Sequence, residues 1–494
     1  MNERSNVLLV VLDSTRAKNT SLQGYDRETT PFLSEFADRS TVYTQARAPG
    51  IHSIASHVSM FTGAHVEEHR AFHHTAQIDP TRTIWHELGS EFGYDTALFT
   101  NNRIVSNASN LSASFDHRHE PNYPLAERLE NRIDDTVLEQ LYFRWHDALS
   151  QLTDGGSEGS GSGGQGRPAG LVGGLSDRLG TVADAAGLSG DGSSSGYKTL
   201  FGGEFTDAFA AWEAERTGPW AACINLMDTH EPYEPEAEYD RWADDENWRI
   251  QREDTPSVWE SLQGRGWDRI AALEGLYDGT ILQADAILRD LVGTLEQRGV
   301  LSDTLLVVTS DHGETFSERS RLNERVRLRA HKWGIHEELT HVPLVVSYPG
   351  QEEGEVVEQV VSLTDTPDLL RAATENDPED PLVSDDPVLA STFRLPESKR
   401  SKYGSIDDID TYIGPWRAVY ENHEGGVRKY ARKGDFALTA DIVGAGDVSV
   451  VSRDDDGRVS GAYDRLSDGD IVTEEAAEID EELEQQLEDL GYIR

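Results

Sequence analysis

The chain has 494 residues, 90 of them acidic and 44 basic, with a formal net charge of -46. That length can bury a large core, read as one big domain with a smaller C-terminal part. The charge repels nucleic acid and anionic membranes, so an anionic substrate would need a local positive centre such as a metal ion. Cys223 is the only cysteine, which excludes an intrachain disulfide.

Only seven of the basic residues are Lys, and the acidic excess is spread along the chain rather than gathered in a tail. This composition reads as a surface adapted to high salt. No apolar stretch approaches the ~20 residues needed to span a bilayer. The chain opens Met1-Asn2-Glu3-Arg4-Ser5 and enters its first strand at once, leaving no room for a secretory leader. A cytoplasmic location is the expectation.

The first element is an apolar run over residues 6–12, as in a parallel strand buried on both faces, and it ends on Asp13. Ligands of open α/β sheets bind beyond the carboxyl ends of such strands, so Asp13 sits where a metal or substrate site is expected. A helix N-cap is the alternative reading of Asp13. Thr30-Pro31-Phe32-Leu33 reads as a helix start, with Thr30 as cap and Pro in the first turn. Further on, Ser53 precedes a helical stretch that stops at Gly63. A hydroxyl there lies where backbone N–H groups favour anions, and it can also ligate a cation and become a nucleophile. A simple N-cap Ser is again the alternative.

His73-His74 read as surface residues. Residues 94–100 form another strand, and Asn101, Asn102 and Arg103 follow it as pocket candidates. Residues 154–196 are Gly/Ser-rich and read as a flexible surface insertion, because the strand pattern resumes at Trp220. Residues 267–299 are helical by spacing. Residues 303–310 repeat the grammar of the first strand and end on Asp311-His312-Gly313-Glu314. Carboxylate plus imidazole is a metal-binding vocabulary, and the Gly lets the backbone turn sharply. Two such strand ends, far apart in sequence, can converge on one ion at the rim of one sheet. Residues 375–387 read as an acidic, Pro-rich loop. Short strands begin near residue 388, and residues 474–490 read as an acidic amphipathic helix.

Together, Val11-Leu12-Asp13-Ser14-Thr15-Arg16, Gly24-Tyr25, Thr30-Pro31-Phe32-Leu33, residues 53–63, Asp311-His312-Gly313-Glu314 and His341-Val342-Pro343-Leu344 stand in the order typical of sulfatases. The chain resembles that family of the alkaline phosphatase superfamily over most of its length. Ala462-Tyr463-Asp464-Arg465-Leu466 and Leu490-Gly491-Tyr492 resemble the family's closing pattern. The resemblance implies an α/β fold, with a large, mostly parallel sheet flanked by helices and a small C-terminal antiparallel-sheet region. It divides the chain into a catalytic domain over 1–387 and a subdomain over 388–494. With the acidic surface, it also implies a source among halophilic archaea.

The resemblance places the nucleophile at Ser53. The family's usual signature is Cys/Ser-x-Pro-x-Arg, whereas this chain carries Ala55 and His57 in place of the Pro and the Arg. Ser53 is therefore expected to stay an unmodified serine rather than become formylglycine, with His57 taking over part of the anion binding. The implied shell of one divalent ion is Asp13, Ser53, Asp311 and His312. Many sulfatases carry a second Asp where this chain has Ser14, and often Asp-Asn where it has Asp311-His312. The imidazole suits Mn²⁺ or Zn²⁺, whereas the family prior favours Ca²⁺ or Mg²⁺.

Met227-Asp228-Thr229-His230-Glu231-Pro232-Tyr233 resembles the family's "H-x-P-Y" segment, whose His contacts the substrate anion. His331 matches a position facing the leaving group and would be a general acid, with Lys332 as the adjacent alternative. Asn102, His57 and Lys332 complete the substrate-binding candidates. The expected reaction is metal-assisted in-line attack by Ser53 on a small sulfate ester, sugar esters included. The alternatives are a phosphodiesterase or phosphoglycerol-type transferase of the same superfamily, and a catalytically inactive metal-containing binding protein.

Overall fold

The two apolar runs that end on Asp13 and Asp311 are hydrogen-bonded neighbours. Their structure comes from a computed structural model that describes residues 4–72, 76–102, 104–119, 202–375, 380–393 and 409–474. The expected insertion, His73-His74, Arg103, nearly all of the terminal acidic helix and Leu490-Gly491-Tyr492 lie outside the described residues.

In chain order the strands are β1 (Asn6–Leu12), β2 (Thr41–Arg47), β3 (Gln77–Ile78), β4 (Asp95–Thr100), β5 (His117–His119) and β6 (Trp220–Leu226). They continue as β7 (Thr304–Thr309), β8 (Phe316–Arg319), β9 (Arg327–Arg329), β10 (Leu344–Ser347), β11 (Glu355–Ser362) and β12 (Val388–Thr392). The last are β13 (Trp416–His423), β14 (Gly426–Lys433), β15 (Phe436–Gly444), β16 (Asp447–Ser452) and β17 (Val472–Glu474).

Eight strands form the main sheet in the order β11-β2-β10-β7-β1-β6-β4-β5. β1 lies at its centre, parallel to β6 (Val7↔Ala221) and to β7 (Val11↔Thr309). β10 runs antiparallel to both β7 and β2, so the sheet is mixed rather than purely parallel.

The alternation along β1 explains its unbroken apolar sequence. Val7, Leu9 and Val11 join one core with Ile54, Val58, Phe61 and Trp85. Leu8, Val10 and Leu12 join another with Phe205, Phe209, Leu288 and Leu291. Helices therefore cover both faces, and every β1 side chain after Asn6 is buried. Among the described residues, no helix is long and apolar enough to cross a membrane.

β12 to β16 form a separate five-stranded antiparallel sheet in sequential order. Its inner face (Ala418, Tyr420, Leu438, Ala440) shares one hydrophobic cluster with Ile51, Leu339 and Val360. Lys429 of β14 reaches through this contact to Glu337 Oε1 at 2.7 Å, with both side chains almost fully buried.

Two local expectations change. The helical stretch over 267–299 is two helices, Trp267–Ala272 and Glu274–Arg298. They part at Leu273, whose N–H bonds Ile270 O three residues back, tightening the turn. Thr30 precedes the helix Pro31–Phe36 but its side chain does not cap it. Its Oγ1 accepts from Leu22 N instead, and the carboxylate of Asp285 takes the helix N–H groups of Phe32 (2.7 Å) and Leu33 (2.9 Å).

Candidate active site

The rim beyond the carboxyl ends of β1 and β7 gathers the acidic and imidazole side chains. Asp13 leaves β1 with its N–H on Leu226 O (2.9 Å), and the Thr229 hydroxyl bonds its carbonyl. Ser14 then adopts φ 64, a left-handed conformation uncommon for a residue with a side chain. This bend aims Ser14 Oγ at Asp13 Oδ1 (2.8 Å) and Ser14 N at Asp311 Oδ1 (3.2 Å). Asp13 thus caps no helix. On the β7 side, Ser310 Oγ accepts from Thr15 N (2.8 Å) and donates to His312 O (2.7 Å), tying the two strand ends together.

His312 Nδ1 bonds Gly313 O at 2.9 Å, so its Nε2 faces the acids, 4.0 Å from Asp13 Oδ1 and 3.5 Å from Asp311 Oδ2. Gly313 is required by close approach rather than by its dihedral. A Cβ there would sit 2.1 Å from Glu338 O.

The helix Ser53–Thr62 delivers the hydroxyl. His52 occupies its N-cap position and Gly63 closes it at φ 76. Ser53 lies inside the first turn and donates to Asp13 Oδ2 at 3.3 Å. Asn102 Nδ2 bonds the same oxygen at 2.8 Å. His57, one turn on, is fully buried, with Nδ1 2.9 Å from Ser53 O and 3.6 Å from Asp311 Oδ2. Its ring lies against the acid and packs edge-on to Phe61.

One ligand atom each from Asp13, Asp311 and His312 lies within 4.8 Å of the others, and all three residues are buried. Burial pushes the Asp13 carboxyl up, but His230, His312, the Ser14 hydroxyl and His57 outweigh it and hold it low. Burial and the Asp13 charge push Asp311 up to about 7. Two close carboxyls driven apart in this way resist carrying both negative charges at once, a conflict that a bound cation would relieve. Hard oxygen donors beside one imidazole nitrogen fit a divalent cation.

The remaining candidates line one side of this centre. The His331 ring is 4.6 Å from that of His312 and 5.3 Å from that of His230. His230 Nδ1 is 2.6 Å from Glu231 O. His331 Nδ1 is 3.2 Å from Glu314 Oε2. Burial and Glu231 push the Glu314 carboxyl up to about 8, and the half-buried Lys332 acts on it in the opposite direction.

The sulfatase family profile matches residues 5–374. The chain belongs to the sulfatase family. Arylsulfatase K of Homo sapiens is 23% identical to this sulfatase-family chain over 369 residues, covering 73% of the chain and 61% of the human protein. Arylsulfatase K of Bos taurus is 32% identical over 96 residues, 19% of the chain and 16% of the bovine protein. These matches span less than two thirds of either relative's length. Among solved structures, phosphonate monoester hydrolase of Agrobacterium radiobacter superposes with a TM-score of 0.53 at 17% identity, covering 99% of this chain and 94% of that one. The lipoteichoic acid synthase LtaP from Listeria monocytogenes superposes with a TM-score of 0.50 at 13% identity, covering 94% and 93%. Both share the fold.

Within this sulfatase fold, three supporting residues were not assigned a role from sequence. Thr229 stands beside the recognised His230, so its neighbourhood was the available signal. Glu314 sits inside a quoted motif. Tyr277, whose hydroxyl donates to Ser14 O (2.8 Å) and accepts from Arg16 N (2.9 Å), lies in the first turn of the helix Glu274–Arg298 with no local signal.

Proposed function

We propose that this chain hydrolyses sulfate esters, with Ser53 as nucleophile beside a divalent cation held by Asp13, Asp311 and His312. The observation that supports this most is the convergence of three buried ligand residues and one hydroxyl on a single sheet rim, in a chain of the sulfatase family. A cation held there would offset the two carboxylates and supply the positive charge that an ester anion needs.

The chain's own groups account for the rest. Asp13 Oδ2 accepts the Ser53 hydroxyl, orienting Oγ and offering a base for its proton. Asn102 holds that same carboxylate oxygen in place. Attack forms a bond from Ser53 Oγ to sulfur as the ester S–O bond breaks in line. The electron pair leaves with the bridging oxygen, which takes a proton from His331 or His230. Water then releases the anion from Ser53. With Ala55 and His57 in the signature, Ser53 acts as plain serine, and His57 and Lys332 contribute positive or polar surface for the anion. The substrate is small and anionic, and because the protein's net charge of -46 repels it, the cation supplies the local attraction.

A phosphorus ester is the second reading, supported by a serine nucleophile next to an Asp-His pair. Metal analysis and paired assays on sulfate and phosphate esters of one alcohol separate the possibilities. Asp13→Ala and Asp311→Ala should each lose the metal, and Ser53→Ala should keep most of it while losing turnover. Wild-type metal content in both Asp variants would remove the site. Metal binding with no turnover of either ester would make this a binding protein.

A further inference from the structure

His331 stands at one side of the metal-ligand cluster, its ring 4.6 Å from that of His312, and Glu314, outside the cluster, bears on its orientation. Its Nδ1 lies 3.2 Å from Glu314 Oε2, and Glu314 is fully buried. The other oxygen of Glu314, Oε1, accepts from Thr315 N at 3.0 Å, and its carbonyl accepts from Arg16 Nη1 at 3.0 Å. The Tyr233 hydroxyl faces the Glu314 carboxyl and favours its ionised form against burial. Tyr233 is itself held on both sides of its backbone by Gln251, at 2.8 and 2.7 Å.

The segments that carry the two partners are stitched together independently. Ala330, just before His331, takes φ 45, a strained value for a residue with a side chain. Its N–H bonds Thr315 O at 3.0 Å, and the Thr315 hydroxyl bonds its carbonyl. The backbone beside Glu314 thereby fixes the backbone beside His331.

We infer that Glu314 is a positioning residue for His331, braced by Tyr233, so that proton delivery to the leaving oxygen comes from His331 Nε2. The proton between Nδ1 and Oε2 stays with that pair. The Nε2 proton passes to the bridging oxygen as the ester bond breaks and that oxygen takes up the electron pair. The assignment rests on the proposed role of His331 as general acid and adds to it the group that selects which ring nitrogen acts. It gives a task to two motif residues, Glu314 and Tyr233, that the nucleophile and the cation leave unused.

The test uses the full chain and aryl esters with poor and good leaving groups, phenyl and nitrophenyl, as sulfates and as phosphates. A good leaving group departs without protonation, so only the poor one needs the acid. Glu314→Ala should slow the phenyl ester about 10²-fold and the nitrophenyl ester less than about threefold, with the isosteric Glu314→Gln in between. Adding Glu314→Ala to His331→Asn should slow the enzyme no further than His331→Asn alone. Equal losses on both esters, or additive losses, would show a merely structural residue and overturn the inference.

If His331→Asn itself shows no dependence on the leaving group, the general-acid reading falls and the inference falls with it. If His331→Asn shows the dependence and Glu314→Ala does not, only the inference falls. Long-range ¹H–¹⁵N spectra of the histidine rings give a readout without substrate. The His331 pattern, identified by its loss in His331→Asn, should change in Glu314→Ala, and an unchanged pattern overturns the inference whatever the kinetics. Thermal unfolding of Glu314→Gln confirms that a folded protein is being read.

Discussion

Ser53 shows how a single residue escapes its most ordinary role. Serine before an apolar helical run is usually a cap, but here His52 takes that position and the hydroxyl goes to Asp13. The helix was legible from its sequence. The orientation was not, because it is set by a carboxylate 40 positions away. The same distance problem hid Asp285, whose carboxylate caps the helix Pro31–Phe36 from more than 250 residues along the chain. Burial raises the Asp285 carboxyl to about 7, above its ordinary value. Its favourable contribution is therefore complete below the ordinary carboxylate pKa of about 4 and is lost as pH rises through about 7. Asp285→Asn cannot ionise. In denaturant titrations its stability relative to wild type should improve by about 1–3 kcal/mol between about pH 4 and pH 8. A difference that does not change with pH would show that Asp285 is not held in a desolvated state.

At the scale of elements, β1 and β7 were readable because burial on both faces leaves an unbroken apolar run, which few other elements of this length produce. Their polar ends then stood out. β10 was harder to read, since nothing in Leu344-Val345-Val346-Ser347 announces that this strand runs against its neighbours. The break at Leu273 was likewise invisible, because the apolar spacing continues across it. The turn after β7 depends on one glycine that packs under the Glu338 carbonyl. Gly313→Ala should displace the Asp311–His312 ligand pair. It should cost more than about 2 kcal/mol in chemical denaturation and sharply weaken metal binding measured by calorimetry. Gly63→Ala carries a positive φ but meets only ordinary contacts, so its cost should stay near 1 kcal/mol, about that of an αL cap. If Gly313→Ala binds metal like wild type, the close approach is not what shapes the site.

For the whole molecule, charge dominates. A net charge of -46 opposes the compact state wherever screening is weak. The Debye length falls from ~30 Å at 0.01 M to ~3 Å at 1 M salt, so molar salt should raise the thermal midpoint substantially. A midpoint that is the same in dilute buffer and in molar KCl would contradict a high-salt adaptation. The C-terminal sheet was expected as a small separate region, and its strands are there. The buried Lys429–Glu337 pair that ties it to the short helix Glu337–Thr340 was not legible, because its partners lie 92 residues apart on elements that meet only in the folded chain.

The proposed mechanism has Ser53 attacking an ester beside the Asp13–Asp311–His312 cluster. The most direct measurement is mass spectrometry of the peptide that carries Ser53, from enzyme quenched in acid during turnover. The resting enzyme should carry an unmodified serine that gains one sulfo or phosphoryl group under turnover, and Ser53→Ala should show no such peptide adduct and be inactive. A resting peptide lighter by two hydrogens would show formylglycine instead, and full activity in Ser53→Ala would contradict the mechanism outright.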